Sequence, residues 1–205
     1  MQSPARRSVD AFISRHGTPD RTLDIGCGPS RYRSVFPNRV GLDLRASPGV
    51  QLQGSVTQLP FGSGTFGVVL CTELLEHVPD PPAAICEIER VLVPGGKCLL
   101  TTRFCYPIHD QPHDFFRFTR YGLAHLFAGW DLDDLVEDTG LTGAIVSMVN
   151  ARIAEARRPL RWALNTVWAP LSVGLGAMST TTSRRSQSVA AGYLVVARKR
   201  KVSLH

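Results

Sequence analysis

Leu23-Asp24-Ile25-Gly26-Cys27-Gly28-Pro29-Ser30 is an apolar run that carries one acid and breaks into a tight glycine turn. Apolar residues followed by glycines at alternate positions describe the tip of a strand. Without a Cβ, such a turn lets backbone N–H groups approach a ligand closely. A second apolar run, Val40-Gly41-Leu42-Asp43-Leu44, also ends on an acid, and a carboxylate there can accept from both hydroxyls of a ribose. Together these features describe a pocket for a nucleoside cofactor. The pyrophosphate fingerprint GxGxxG would need glycine where Arg31 stands, so a dinucleotide is not supported.

The rest of the chain reads as alternating strands and helices. With 205 residues, 43% of them hydrophobic and 20% charged, it has the size and composition of a single globular domain, 1–205. Val9, Phe12 and Ile13 share a face and predict an N-terminal helix over 5–16. Strands are expected at 21–26, 39–44, 50–53, 66–71, 97–103, 130–136 and 193–197, with helices over 82–92 and 119–127. Pro94-Gly95-Gly96 should stop the first of these helices, Thr119 should cap the second and Gly129 should end it. Such alternation builds a parallel sheet with helices on both faces. Met1–His16 contains no apolar core of a secretory signal, and the five cysteines form no CxxC pair. Both observations suit a reducing cytoplasm without a disulfide or metal framework.

Residues 139–188 form an insert before the last strand, longer than an ordinary connection. Leu160, Leu164, Val167, Trp168, Leu171, Leu175 and Met178 fall on one helical stripe, with Arg161, Asn165 and Ser172 away from it. Pro170 predicts a kink, and the Ser/Thr-rich 179–188 reads as a mobile loop. A membrane span at Trp162–Met178 is rejected because the last strand must rejoin the sheet; an interfacial or packed helix remains open. Charge divides unevenly: residues 1–149 carry 13 Lys+Arg and 16 Asp+Glu, whereas 150–205 carry 10 Lys+Arg and only Glu155. That quarter suits an anionic partner: a membrane surface at the inner face, a phosphate-bearing substrate or nucleic acid. A merely solvated basic face fits equally well. No Asn/Asp-Pro-Pro-Tyr/Phe run or RNA-binding motif is present, which counts against nucleic acid.

The order of segments resembles a class I S-adenosylmethionine (SAM)-dependent methyltransferase of the broad bacterial group with the signature LDIGCG, GxDx, LPF, FDVV, LEH and RVLxPGG. The corresponding runs are Leu23–Gly28, Gly41–Leu44, Leu59-Pro60-Phe61, Phe66-Gly67-Val68-Val69, Leu75-Glu76-His77 and Arg90–Gly96. The resemblance covers roughly residues 20–105 and implies a Rossmann-like seven-stranded sheet, order 3-2-1-4-5-7-6, with strand seven antiparallel. It implies further that Asp24, Gly26 and Gly28, with Cys27 between them, line the methionine part of SAM. Asp43 would hold the ribose and Leu44 pack on the adenine. Ser55 and Val56 would meet the adenine edge, and Cys71 and Thr72 would face the cofactor near its sulfonium. Gly67 and Ser30 depart from the family pattern, where Asp and Gly are usual, and Ser55 replaces a frequent acid.

After the fifth strand comes Tyr106-Pro107-Ile108-His109-Asp110-Gln111-Pro112-His113-Asp114-Phe115-Phe116-Arg117-Phe118-Thr119, dense in His, Asp, Arg and aromatic residues. It lies on the edge where open α/β sheets bind ligands. As an acceptor lid, Tyr106, Phe115 and Phe116 would pack a small-molecule or lipid-like acceptor while His109, His113 and Arg117 hold or deprotonate it. The structural reading is compatible: Asp114 pairs with Arg117 and pins the loop. His109, His113 and Asp114 are metal-ligand types, but their spacing crosses Pro112 and matches no metal signature, so no metal is expected. Methyl transfer from a sulfonium needs alignment and water exclusion, and a base only for a hydroxyl-like nucleophile. His113, His109 and His77 are the candidates, in that order. The alternatives are a SAM-fold protein that binds cofactor or a partner without turnover, and a nicotinamide oxidoreductase.

Overall fold

Thr22–Ile25 (β1) is buried along its whole length, as a strand flanked by parallel neighbours and covered on both faces must be. The computed structural model describes residues 3–29, 31–182 and 189–201; Ser30 of the glycine turn, 183–188 of the expected loop and 202–205 lie outside the described residues. The other strands are Arg39–Asp43 (β2), Leu52–Gln53 (β3), Phe66–Thr72 (β4), Leu92–Arg103 (β5), Asp131–Glu137 (β6) and Gly192–Arg198 (β7). They form one sheet in the order β3-β2-β1-β4-β5-β7-β6, parallel except that β7 runs antiparallel to both β5 and β6.

The helices are Pro4–Arg15 (α1), Pro81–Val91 (α2), Arg120–Leu126 (α3), Leu141–Glu155 (α4) and Arg158–Thr182 (α5). Their starts are local: Ser3 accepts from Arg6 N–H, Asp80 from Ala83 N–H, and Thr119 from Gly122 N–H. Two apolar layers hold the sheet. One joins Ile85, Ile88, Leu123 and Phe127 to Leu23, Val69 and Leu100. The other joins Val9, Phe12, Ile13 and Phe36 to Val68, Leu70, Leu99, Leu194 and Val196. Each large side chain so buried contributes about 1.5–3 kcal/mol of transfer free energy.

The structure departs from the sequence reading at the start of the fifth strand. The fifth strand begins at Leu92, so Pro94-Gly95-Gly96 lies inside it: Leu92 pairs with Phe66, and pairing resumes at Lys97 opposite Val68. The helix before it stops at Val91 because its next residue joins the sheet, three residues ahead of Pro94. The sequence leaves the orientation of α5 open. Leu160, Leu164, Val167 and Leu171 of its apolar stripe are 40–74% exposed. Ser172 is buried, and the Trp168 indole donates to Asn150 Oδ1 of α4 at 2.7 Å. Trp168 and Ser172 therefore meet the body, Leu160 and Leu164 border a groove against α4, and Val167 and Leu171 face outward; Met178's side chain lies outside the described residues. Among the described residues no helix is long and apolar enough to cross a membrane.

Candidate functional site

At the tip of β1 the chain turns through Gly26 (φ 67°) and Gly28 (φ 47°), both left-handed conformations that favour glycine. Gly26 and Cys27 donate to Leu42 O, which hooks the turn onto β2. A Cβ on Gly26 would stand 3.0 Å from Leu74 Cδ1, so Leu74 is the floor beneath the turn. A Cβ on Gly28 would meet nothing within 4 Å. Beside that open space Asp43 ends β2, its carboxylate accepting from Gly28 N–H at 3.1 Å and from Arg45 N–H at 3.0 Å. A carboxylate has about four acceptor positions, so two remain for hydroxyls of a ligand. Leu44, next along, is 71% exposed. Open backbone, a fixed carboxylate and an exposed apolar side chain fit a nucleoside with its ribose and base.

Other residues of the expected cofactor shell lie elsewhere. Asp24 is fully buried in β1, with Arg39 Nε at 3.5 Å; burial raises its carboxyl to about 6, with Arg39 opposing. Its place is the β1–β2 interior rather than the ligand surface. Cys71 is 0% exposed inside β4, and burial pushes its thiol well above the ordinary value, so it does not face the cleft. Thr72 ends that strand half-buried. The Cys27 thiol points at Gly49 O, leaving its backbone to the turn. Gly41 is required for that packing, since a Cβ there would lie 2.5 Å from Gly49 O and 2.7 Å from Cys27 Sγ. Val56 belongs to the core, and the Ser55 hydroxyl bonds Thr57 Oγ1 at 2.8 Å.

Across the sheet edge, β4 is followed by the 3-10 turn Leu75–His77, and the 104–119 loop docks on it. Phe115 and Phe116 N–H donate to Glu76 O at 2.9 and 3.1 Å, and His77 Nδ1 donates to His113 O at 2.7 Å. Arg117 forms a bidentate pair with Asp114 at 2.6 and 2.7 Å and also donates to Tyr106, Pro107 and Phe116 carbonyls. That guanidinium holds the Asp114 carboxyl below its ordinary range. Arg117 is thus engaged in pinning the loop, and its contact with an acceptor is not what the geometry provides. The His113 ring is exposed, whereas His77 and His109 stand edge to face with centroids 4.7 Å apart. Tyr106 abuts His109 at 5.0 Å, and Arg103 lies over the Tyr106 ring at 4.7 Å. Phe115 and Phe116 are 44% and 37% exposed and flank the same mouth. Sequence reasoning missed Glu73 and Glu76: Glu73, at φ 52°, pairs with Arg103, while buried Glu76 accepts from Thr102 Oγ1 at 2.8 Å. The acid beside His77 was the available signal for Glu76.

This seven-stranded order, with a nucleoside-shaped edge at the first glycine turn, defines the Rossmann-like architecture of class I methyltransferases. Residues 23–100 match the family described as methyltransferase domain. An uncharacterized methyltransferase of Schizosaccharomyces pombe is 33% identical over 104 residues, covering 38% of this chain and 37% of its own. A ubiquinone biosynthesis O-methyltransferase of Pseudomonas paraeruginosa is 32% identical over 117 residues, covering 46% and 49%. The chain therefore spans less than half the length of these curated relatives. Among solved structures, the Burkholderia thailandensis 1,6-didemethyltoxoflavin-N1-methyltransferase with bound S-adenosylhomocysteine superposes with a TM-score of 0.57 at 17% identity, covering 97% of this chain and 79% of that one. The 4+2 cyclase SpnF superposes with a TM-score of 0.63 at 18% identity, covering 95% and 80%. At such identities the likeness shows the fold.

Proposed function

We propose that this protein transfers the methyl group of SAM to a small amphiphilic acceptor lodged between the glycine turn and the 104–119 loop. The observation that carries the reading is the open space at Gly28 beside the Asp43 carboxylate. When bound, SAM supplies an activated methyl group on a sulfonium, so the chain's residues have to align, enclose and, for a hydroxyl acceptor, remove a proton. Asp43 orients the ribose through oxygens that Gly28 and Arg45 N–H already hold in place. Phe115, Phe116 and Tyr106 provide the apolar wall that excludes water. With Nδ1 of His77 donating to His113 O, its Nε2 carries the lone pair that can accept a proton. His109, with Nδ1 against Pro107 O at 3.1 Å, is arranged in the same way. These two rings therefore rank ahead of His113 as bases.

The outer surface supports an amphiphilic acceptor or an anionic membrane face as docking partner. A groove of about 550 Å³ between α4 and α5 is lined by Met148, Arg152, Ile153, Leu160 and Leu164. Arg157, Arg158 and Arg161 are exposed beside it, next to Trp162 at 76% exposure. Not all of the basic excess is available: Arg198 pairs with Asp133, Arg200 with Asp131, and Lys199 Nζ donates to Glu89 and Leu92 carbonyls.

The test is thermal melting with SAM, S-adenosylhomocysteine and NAD. Stabilisation by the first two and not by NAD is expected, and Asp43→Ala should abolish it. A shift with NAD alone, or none with SAM, would overturn the reading. SpnF, a cyclase on a similar fold, keeps the second reading in view, a SAM-fold protein without methyl turnover. Release of S-adenosylhomocysteine with acceptor extracts separates the two.

A further inference from the structure

We propose that Glu76, His77 and His109 form a binding site for one divalent transition-metal cation of the zinc class, at the mouth between the 3-10 turn and the 104–119 loop. A carboxylate oxygen of Glu76 and one ring nitrogen of each histidine all lie within 4.8 Å of one another. The tautomers suit ligation. His77 Nδ1 donates to His113 O at 2.7 Å, and His109 Nδ1 faces Pro107 O at 3.1 Å and Asp114 Oδ2 at 3.4 Å. A ring that donates from Nδ1 to a carbonyl or carboxylate presents Nε2 as an oriented lone pair, which is the outer-shell arrangement of metal-bound histidines.

Glu76 is the independent observation. It is 0% exposed, yet among the described residues only Oε2 has a donor, Thr102 Oγ1 at 2.8 Å, and Oε1 is buried without a partner. Leaving a buried carboxylate oxygen unsatisfied is costly, and a cation is one group that removes the cost. Asp110, exposed and at φ 51°, stands outside that set with Oδ2 3.9 Å from His77 Nε2, so the fourth position of a tetrahedral ion falls to water or to a movement of the loop.

Zn–N and Zn–O bonds of about 2.0–2.2 Å put neighbouring tetrahedral ligand atoms roughly 3.4 Å apart, so the cluster has to contract by about an ångström. His109 and Asp110 are loop residues that can make that movement, while Glu76 is fixed by Thr102 and by the Phe115 and Phe116 N–H groups on its carbonyl. Two imidazoles and a carboxylate favour zinc, cobalt or manganese over calcium. This differs from the sequence expectation of no metal, because the ligating set joins Glu76 and His77 to His109 instead of grouping His109 with His113 and Asp114. If the proposed methyl transfer also holds, the bound cation would occupy the Nε2 lone pairs of His77 and His109 and replace their role as bases, acidifying an acceptor hydroxyl as a Lewis acid instead; the site itself does not rest on that reading.

The experiment uses the full chain, stripped with chelator and titrated with Zn²⁺ by calorimetry and with Co²⁺ by ligand-field absorption. One equivalent is expected, with tetrahedral Co²⁺ bands. His109→Ala and His77→Ala should each weaken binding at least tenfold, while His113→Ala should bind as the unaltered protein does. Cooperative melting and an unchanged S-adenosylhomocysteine shift would show that the variants are folded and that the cofactor pocket is separate. No binding by the unaltered protein, or equal binding by His109→Ala and His113→Ala, would overturn the proposal. A failed S-adenosylhomocysteine shift with Zn²⁺ binding intact would instead count against the methyltransferase reading alone.

Discussion

Gly28 and Gly64 share a left-handed backbone, φ 47° and 62°, and open space where a Cβ would point. Alanine at either costs about 1–2 kcal/mol of backbone strain. They differ in place: Gly28 faces Asp43 at the cleft, whereas Gly64 sits in the loop before β4, donating to Arg90 O. Gly28→Ala is therefore expected to weaken SAM binding at least tenfold by calorimetry, with Gly64→Ala matching its loss in melting temperature but binding normally. Equal affinity in the two variants would show that the open space at Gly28 is not where the donor sits. At this scale the glycines and Asp43 were legible in the sequence because left-handed turns and strand-end acids have few substitutes. Asp24 was not, because what decided its role was Arg39 on the next strand.

The elements were legible from period and caps, but the face each presents was only partly so. In α5 the stripe of Leu160, Leu164, Val167 and Leu171 has helical spacing, and that spacing alone says nothing about which side meets the body. Trp168 and Ser172 made the decision by packing against α4 around a cavity of about 370 Å³, also lined by Ser3, Arg7, Asn150 and Asn165. The exposed apolar stripe yields a prediction about partner and stability together. Leu160→Glu and Val167→Glu, at 55% and 74% exposure, should leave unfolding free energy within about 0.5 kcal/mol. Both should reduce co-sedimentation with anionic vesicles at low salt. A large loss of stability would mean that the face is packed in solution, and unchanged vesicle binding would remove it as the docking surface.

For the molecule as a whole, buried carboxylates give stability a pH dependence of mixed sign. Asp138 is 7% exposed, accepts from Gly192 N–H at 2.8 Å and faces Arg103 at 3.8 Å. Burial raises it from 3.8 to about 6 against the pull of Arg103. A raised carboxyl binds its proton more readily in the folded state. Its contribution therefore favours folding below the ordinary value and falls, by at most about 3 kcal/mol, as pH rises from about 4 to 6. Asp24 acts in the same direction. Asp114, held low by Arg117, acts in the opposite one: its stabilisation is present above the ordinary carboxylate range and is lost on acidification through and below it. In Asp138→Asn the first slope should flatten, so the stability difference from the unaltered protein shifts towards the variant as pH rises from about 4 to 6. Parallel denaturation curves across that range would contradict the assignment.

The sequence by itself determined the order of strands and helices, the glycine turn with an acid at the end of the next strand, and the presence of a loop rich in acid, histidine and aromatic residues after the fifth strand. Those features follow from local backbone preference and hydrophobic period, which neighbouring residues express without help. Tertiary structure decided which side chains meet: Asp24 with Arg39, Arg117 with Asp114, His77 with His109 beside Glu76, and Trp168 of α5 with Asn150 of α4. Such pairs join distant elements, and only the packing of the sheet and its loops fixes the distances that set His77 against His109 and leave His113 exposed.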